Sequence, residues 1–259
     1  MQILNHRYLK NFWHYFLRIL FNIPGMIALI SISRFIYFVY IKKNFKTLYS
    51  KESKPEAMGF NADNNTTALY KNTKYLRIRF NNLIGILSQF HSIRSMIPIW
   101  PLKSFDFIRP INMRVLSIGP RTEAELFRLV SMGFQLKNIK SIDIQSYSNL
   151  IQLGDAINIP FEDNSFDLVI IGWVLVYTNE PNKAVKEVIR ILKNNGIVSM
   201  CHSHNPIKEA YSNFHIKSSK IMLDLFGENL GYVYLKYHPF DEKDVKNQSR
   251  SNFILSIKK

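Results

Sequence analysis

From Arg114 to the end of the chain, short uninterrupted apolar runs take turns with stretches whose apolar residues recur every three or four positions. "RVLSIG", beginning at Arg114, reads as a strand buried on both faces, and "TEAELFRLVSMG" reads as a helix. "IKSIDI" is a second strand, "FDLVIIGWVLVY" a strand running into a turn, "PNKAVKEVIRILKNNG" a helix and "IVSMCH" a further strand. This alternation predicts an α/β fold with a mostly parallel sheet, since each parallel pair needs a crossover helix. Ligands of such sheets sit beyond the carboxyl ends of the strands. "YVYLKYH" and "NFILSIKK" would add two strands, paired as in a hairpin, at one edge.

The pattern before Arg114 is helical. In "RYLKNFWHYFLRIL" the polar residues Arg7, Lys10, Asn11, His14 and Arg18 fall along one helix face, and Phe12, Trp13, Tyr15, Phe16 and Leu17 fill most of the rest. A basic stripe beside a broad aromatic surface suits a helix lying in a membrane interface; it also suits a lid packed on the following domain. "PGMIALISISRFIYFVYIKK" predicts a second helix, with Pro24 in its first turn, Lys42 and Lys43 at its end, and Arg34 interrupting the apolar run. The uncharged stretch between Arg18 and Arg34 contains Pro24 and Gly25 and falls short of the roughly 20 apolar residues a spanning helix needs. The expectation is a monotopic or buried segment. No small-residue cleavage site follows, so a secretory signal peptide is not expected. Residues 50–66 read as a polar linker and 67–96 as helical, after which Pro98, Pro101 and Pro110 lead to the first strand. The expected division is a helical extension over 1–111 and an α/β domain over 112–259.

Composition narrows the choice of class. Of 259 residues 47% are hydrophobic and 20% charged, as in globular proteins. A single cysteine, Cys201, excludes an intrachain disulfide and any cysteine-cluster metal site, and points to a reducing compartment such as the cytoplasm; no metal is expected. The net charge of +15 is uneven: residues 1–111 hold 16 Lys and Arg against 4 Asp and Glu, net +12. That asymmetry suggests an anionic partner, either a membrane met through residues 1–45 or a nucleic acid. Nothing in the pattern indicates an oligomeric state.

The ordered pieces "GDAINIPFEDNSFDLVIIGWVLVY" and "AVKEVIRILKNNGIVSM" resemble the class I S-adenosylmethionine-dependent methyltransferases, type 11 in particular, over Arg114 to about Met200. The resemblance implies a Rossmann-like fold, with a mostly parallel seven-stranded sheet covered by helices on both faces, and S-adenosylmethionine as cofactor. It implies that Asp143, at the end of "SIDI", binds the ribose hydroxyls, and that Asp155 and Ala156, after Gly154, border the adenine. Gly172 and Trp173 would lie beside the methyl-transfer position, where an aromatic ring can face a sulfonium. The first loop, "GPRTEAE", departs from the family: Ser117 stands where an acidic residue is usual, and Pro120, Arg121 and Glu123 where glycines are.

That loop is poorly suited to a dinucleotide. A pyrophosphate needs glycines for close approach and a local field free of negative charge, whereas Glu123 and Glu125 would repel it. S-adenosylmethionine has no phosphate; it has two cationic groups that a carboxylate attracts and one carboxylate that Arg121 or backbone N–H groups can take. Gly119, Arg121 and Glu123 are therefore candidate cofactor contacts, with a mere Arg121–Glu123 surface ion pair as the alternative. Asp167 is expected to be structural. His202 and His204 follow the fifth strand within reach of a substrate, with a surface or pocket-lining role as the plainer expectation, and no catalytic residue is assigned. The chain lacks the Asn/Asp-Pro-Pro-Tyr motif of methyltransferases acting on nucleobase amines. The expected activity is methylation of a small or lipid-linked acceptor; the alternatives are a non-catalytic binding protein of the same fold and a nucleic-acid methyltransferase.

Overall fold

The structure is a computed structural model that describes residues 2–48, 94–204, 214, 218–237 and 249–259. The expected linker at 50–66 and most of the expected helix at 67–96 lie outside the described residues; Arg94–Met96 forms a turn of 3-10 helix.

Seven strands form one sheet: β1 (Val115–Ile118), β2 (Ile139–Asp143), β3 (Gln152–Leu153), β4 (Phe166–Gly172), β5 (Leu192–His204), β6 (Leu230–Tyr237) and β7 (Ser249–Ile257). Their spatial order is β3-β2-β1-β4-β5-β7-β6. The first five are parallel, with Val115 opposite Ile139 on one side and Leu168 on the other. β7 runs antiparallel between β5 and β6, Met200 facing Phe253. The expected final pair is thus antiparallel, with β7 inside and β6 at the edge.

Because the sheet is covered on both faces, its strands are apolar at successive positions rather than at alternate ones. Val115, Leu168, Ile170, Ile197 and Ile254 point into one core; Leu116, Ile118, Val169, Ile171, Val198 and Met200 point into the other. The second core is closed by α4 (Pro181–Ile191), which starts on a proline and buries Ala184, Val185, Val188 and Ile191, and by the short α5 (Ser219–Asp224). The first is closed by α3 (Ala124–Ser131), which ends at Gly133 with φ +103°.

The N-terminal helices, α1 (Gln2–Asn22) and α2 (Met26–Ile36), lie on the same side as α3. Pro24 sits in the break between them and not in the first turn of α2, because Gly25, at φ +76°, takes the position before that helix. A wider helical turn, Tyr37–Ile41, follows. The ring of Phe21 stacks on Phe127 with centroids 4.6 Å apart. Phe21, Ile27, Phe35 and Val39 are buried in one cluster with Val115, Leu126, Leu129 and Val130. Each such burial contributes about 1.5–3 kcal/mol relative to exposure, so the hydrophobic effect that holds the sheet also holds these helices. The change of pattern near residue 111 is not a break in the core.

Candidate functional site

The loop from β1 to α3 is tied down residue by residue. Gly119 (φ +68°) donates its N–H to Ile142 O at 2.8 Å, and any Cβ placed there would collide with the side chain of Val174, from the loop after β4. Arg121, at φ +58°, donates its N–H to Asp143 Oδ2 at 2.9 Å. Glu123 donates its N–H to the hydroxyl of Tyr147 at 3.0 Å. Thr122 N–H turns back to Pro120 O at 2.6 Å. These N–H groups are occupied by the protein itself, so the loop is no phosphate cradle.

The Glu123 carboxylate is fully buried and receives two hydrogen bonds from Arg34 of α2, Nε to Oε2 at 2.6 Å and Nη2 to Oε1 at 2.8 Å. Glu123, expected as a cofactor contact with a surface ion pair to Arg121 as the alternative, is instead engaged by this longer-range partner. The carboxylate raises the guanidinium pKa of Arg34. Tyr147 is buried under Phe35, ring centroids 5.1 Å apart, and burial pushes its hydroxyl pKa well up, so it stays a neutral acceptor for Glu123 N–H. Neither Arg34 nor Tyr147 was expected at this site. Arg34 did carry a signal, as the lone charge in an apolar helix; Tyr147 carried none.

Asp143 ends β2 beside this loop. Its Oδ1 accepts from Gln145 N–H at 3.1 Å and its Oδ2 from Arg121, which leaves lone pairs on both oxygens for further donors. Burial pushes its carboxyl pKa up, against these backbone donors that hold it down. Gly154 N–H bonds Asp143 O at 3.0 Å, which brings the next expected stretch alongside. Asp155 caps its own turn, Oδ1 accepting from Ile157 N–H at 3.1 Å, and Ala156 is buried behind it.

β4 ends at Gly172 and Trp173. Trp173 is buried in the left-handed region, φ +59°, a backbone state that is costly for a bulky residue, and its N–H bonds Cys201 O at 2.8 Å. A Cβ on Gly172 would lie 3.9 Å from Glu125 Oε2. Glu125, in the first turn of α3, is itself buried, and its Oε1 accepts from Ser117 Oγ at 2.5 Å. A carboxylate from the helix thus lies between the ends of β1 and β4. Sequence reasoning used Glu125 only as a charge near the loop; the sign of more was Ser117, a hydroxyl on the strand eight residues before it.

At the carboxyl ends of the strands Gly119 and Arg121 meet β2, Asp143 ends that strand, Gly172 and Trp173 end β4, and Asp155 lies in the turn after β3, while Glu123 points to α2. Two carboxylates lie here, Asp143 beside Arg121 and Glu125 beside Ser117 and Gly172. Asp167 lies elsewhere: it accepts from Arg114 N–H at 2.8 Å and from Lys193 at 2.7 Å, a structural role as expected. His202 is buried with its ring parallel to Phe253 at 5.9 Å, and the His204 side chain lies outside the described residues. Among the described residues no group of His, Cys, Asp and Glu is placed to hold a metal.

Residues 126–200 match the family model described as "Methyltransferase domain". The demethylmenaquinone methyltransferase of Staphylococcus epidermidis is 34% identical over 117 residues, 42% of this chain and 48% of that protein. The protein of that name from Desulfitobacterium hafniense is 35% identical over 96 residues, 34% of this chain and 38% of that one. The chain thus spans less than half the length of these relatives. Two solved structures share the fold: the [4+2]-cyclase SpnF (TM-score 0.50, 13% identity, 63% of this chain and 80% of that one) and a putative methyltransferase of Haloferax volcanii in complex with the activator Trm112 (TM-score 0.50, 14% identity, 64% and 90%). With the sheet order, these likenesses place the chain in the class I methyltransferase fold, with a methyltransferase domain recognisable over residues 126–200.

Proposed function

We propose that the protein is an S-adenosylmethionine-dependent methyltransferase that acts on a small, lipid-linked acceptor. The observation that carries the reading is the pair of carboxylates, Asp143 at the end of β2 and Glu125 beside Gly172 at the end of β4, next to a loop whose N–H groups are already bound within the protein. Asp143 would accept from the ribose hydroxyls, Ala156 and Ile157 would border the adenine, and Glu125 would offset cationic charge near Gly172. S-adenosylmethionine supplies a methyl group on a positively charged sulfur. On transfer the acceptor's nucleophilic atom would gain that methyl as the carbon–sulfur bond breaks, the acceptor's proton being lost to solvent. The protein's own contribution is alignment and burial, which supply much of the rate of such a transfer. The names of the relatives, demethylmenaquinone methyltransferases, support a lipid-linked acceptor. The lone, buried Cys201 supports placement in the cytoplasm.

Calorimetric titration with S-adenosylmethionine and S-adenosylhomocysteine tests the reading, with saturable binding of both expected. Absence of binding at millimolar ligand overturns it. A second reading, binding without methylation, is favoured by Pro120 and Arg121 in place of loop glycines. Cofactor binding without turnover of any quinone-type or isoprenoid acceptor would establish that one instead.

A further inference from the structure

The outer face of α1 and α2 inverts the usual arrangement of a surface helix. Leu17 and Phe21 pack inward, while Phe12, Phe16, Ile19 and Ile23, spaced four, three and four apart, form a stripe on the opposite side. Phe12 is 63% and Ile19 67% exposed, and Trp13 and Tyr15 flank them in solvent. The same holds along α2 and the turn after it: Leu29, Ile36, Tyr40 and Ile41 are exposed, while Ile27, Phe35 and Val39 are buried. So extended an apolar surface marks an interaction site rather than scattered exposure.

Charge decides the occupant. Before Glu52 the chain contains eight Lys and Arg and no Asp or Glu. Of these, Lys42, Lys43 and Lys46 are exposed at and just after the end of the second helical stretch, whereas the Arg18 guanidinium lies beside Gly133 and Arg34 is spent on Glu123. No single described helix is long and apolar enough to cross a membrane, and the two helices meet at a bend of 104°. Aromatic and aliphatic side chains with exposed lysines near them, on helices of which none is by itself long and apolar enough to span, match a lipid–water interface. We propose that this face docks on the surface of an anionic bilayer. The proposal deepens the lipid-linked acceptor reading by stating where the acceptor is met. α2 turns Ile36 outward and Arg34 inward to Glu123, so the lipid face and the cofactor loop lie on opposite sides of one helix, about 10 Å thick.

The test is flotation of the full chain with phosphatidylcholine vesicles, with and without about one third phosphatidylglycerol, at low and high salt. Binding should require the anionic lipid and weaken with salt. The variant F12S/F16S/I19S should lose at least tenfold in vesicle affinity, and K42E/K43E should lose binding in a salt-sensitive way. Trp13 emission should shift to the blue on vesicles, a change that W13F removes. No flotation, equal binding to neutral vesicles, or undiminished binding by the triple-serine variant overturns the proposal. So does self-association abolished by that variant without flotation, which assigns the face to a second copy. So does an RNA oligonucleotide that displaces the protein from vesicles at far lower charge concentration than lipid. Thermal stabilisation by S-adenosylhomocysteine in the same samples reports the cofactor reading separately: it should survive every face variant, and its absence beside normal flotation strikes the methyltransferase reading alone.

Discussion

Arg34 and Glu123 lie 89 positions apart, yet their side chains meet through two hydrogen bonds of 2.6 and 2.8 Å, the carboxylate fully buried and the guanidinium about one third open. This pair joins a helix of the N-terminal region to the end of the loop between β1 and α3. Its two halves should respond unequally to mutation. Arg34→Ala leaves a buried charge without its partner and should cost about 3 kcal/mol, whereas Glu123→Gln leaves an arginine able to turn toward water and should cost about 1 kcal/mol. Urea unfolding of both variants and of Arg34→Lys measures this; equal losses would show that the pair adds nothing beyond packing.

Asp143→Ala should weaken S-adenosylhomocysteine affinity about ten- to a hundredfold, because two ribose hydroxyls lose a charged acceptor at roughly 1.5–3 kcal/mol. The stability effect has its own sign. A carboxyl whose folded pKa is raised contributes stability that is present below its unfolded pKa and lost as pH rises through the folded one. At neutral pH the charge is therefore a burden, and Asp143→Asn should unfold at a urea concentration close to that of the wild type. Unchanged affinity with a lowered midpoint would make Asp143 structural.

Glu125→Gln keeps the acceptor for Ser117 and removes the charge beside Gly172. If the carboxylate faces a sulfonium, the variant should lose more affinity for S-adenosylmethionine than for neutral S-adenosylhomocysteine, by about tenfold in the ratio. Parallel titrations with the two ligands decide it, and an unaltered ratio places Glu125 away from the sulfur.

Gly119→Ala meets two obstacles, a left-handed backbone and the Val174 side chain. The first costs about 1–2 kcal/mol for a residue with a Cβ. Adding Val174→Ala should recover the steric part and leave the backbone part, an interaction a double-mutant cycle isolates. A cycle with no coupling would mean that the two loops do not touch as described.

Arg190 ties α4 to the "IPFED" stretch, donating to Glu187, Asp163, Ile159 O and Phe161 O at 2.7–2.9 Å. Its hydrogen bonds hold the Glu187 pKa below the ordinary glutamate value, with burial opposing. Stability from this group is present above that ordinary value and lost as pH falls through the lowered one. Glu187→Gln should flatten the acid side of the stability profile as pH falls below the ordinary glutamate value; an unchanged slope there would mean the pair is open in solution.

What the sequence determined by itself is local. Short uninterrupted apolar runs rich in β-branched residues, such as "VLSI" and "FDLVIIG", read as strands covered on both faces, and "AVKEVIRI" reads as an amphipathic helix, so the α/β order is legible in the residues alone. So are the glycine at 119 and the strand-end Asp143, which depend on neighbours along the chain. The tertiary structure decided the contacts that chain distance conceals: that Glu123 turns to Arg34, that Tyr147 holds its N–H, and that Glu125 reaches Gly172. It also decided which side of α1 is inside. The polar stripe of His14 and Arg18 does not mark the outer face, because α1 lies against α3 through Leu17 and Phe21 and leaves its aromatic side uncovered. An amphipathic helix specifies two faces, but only the surface it packs against determines which one meets solvent.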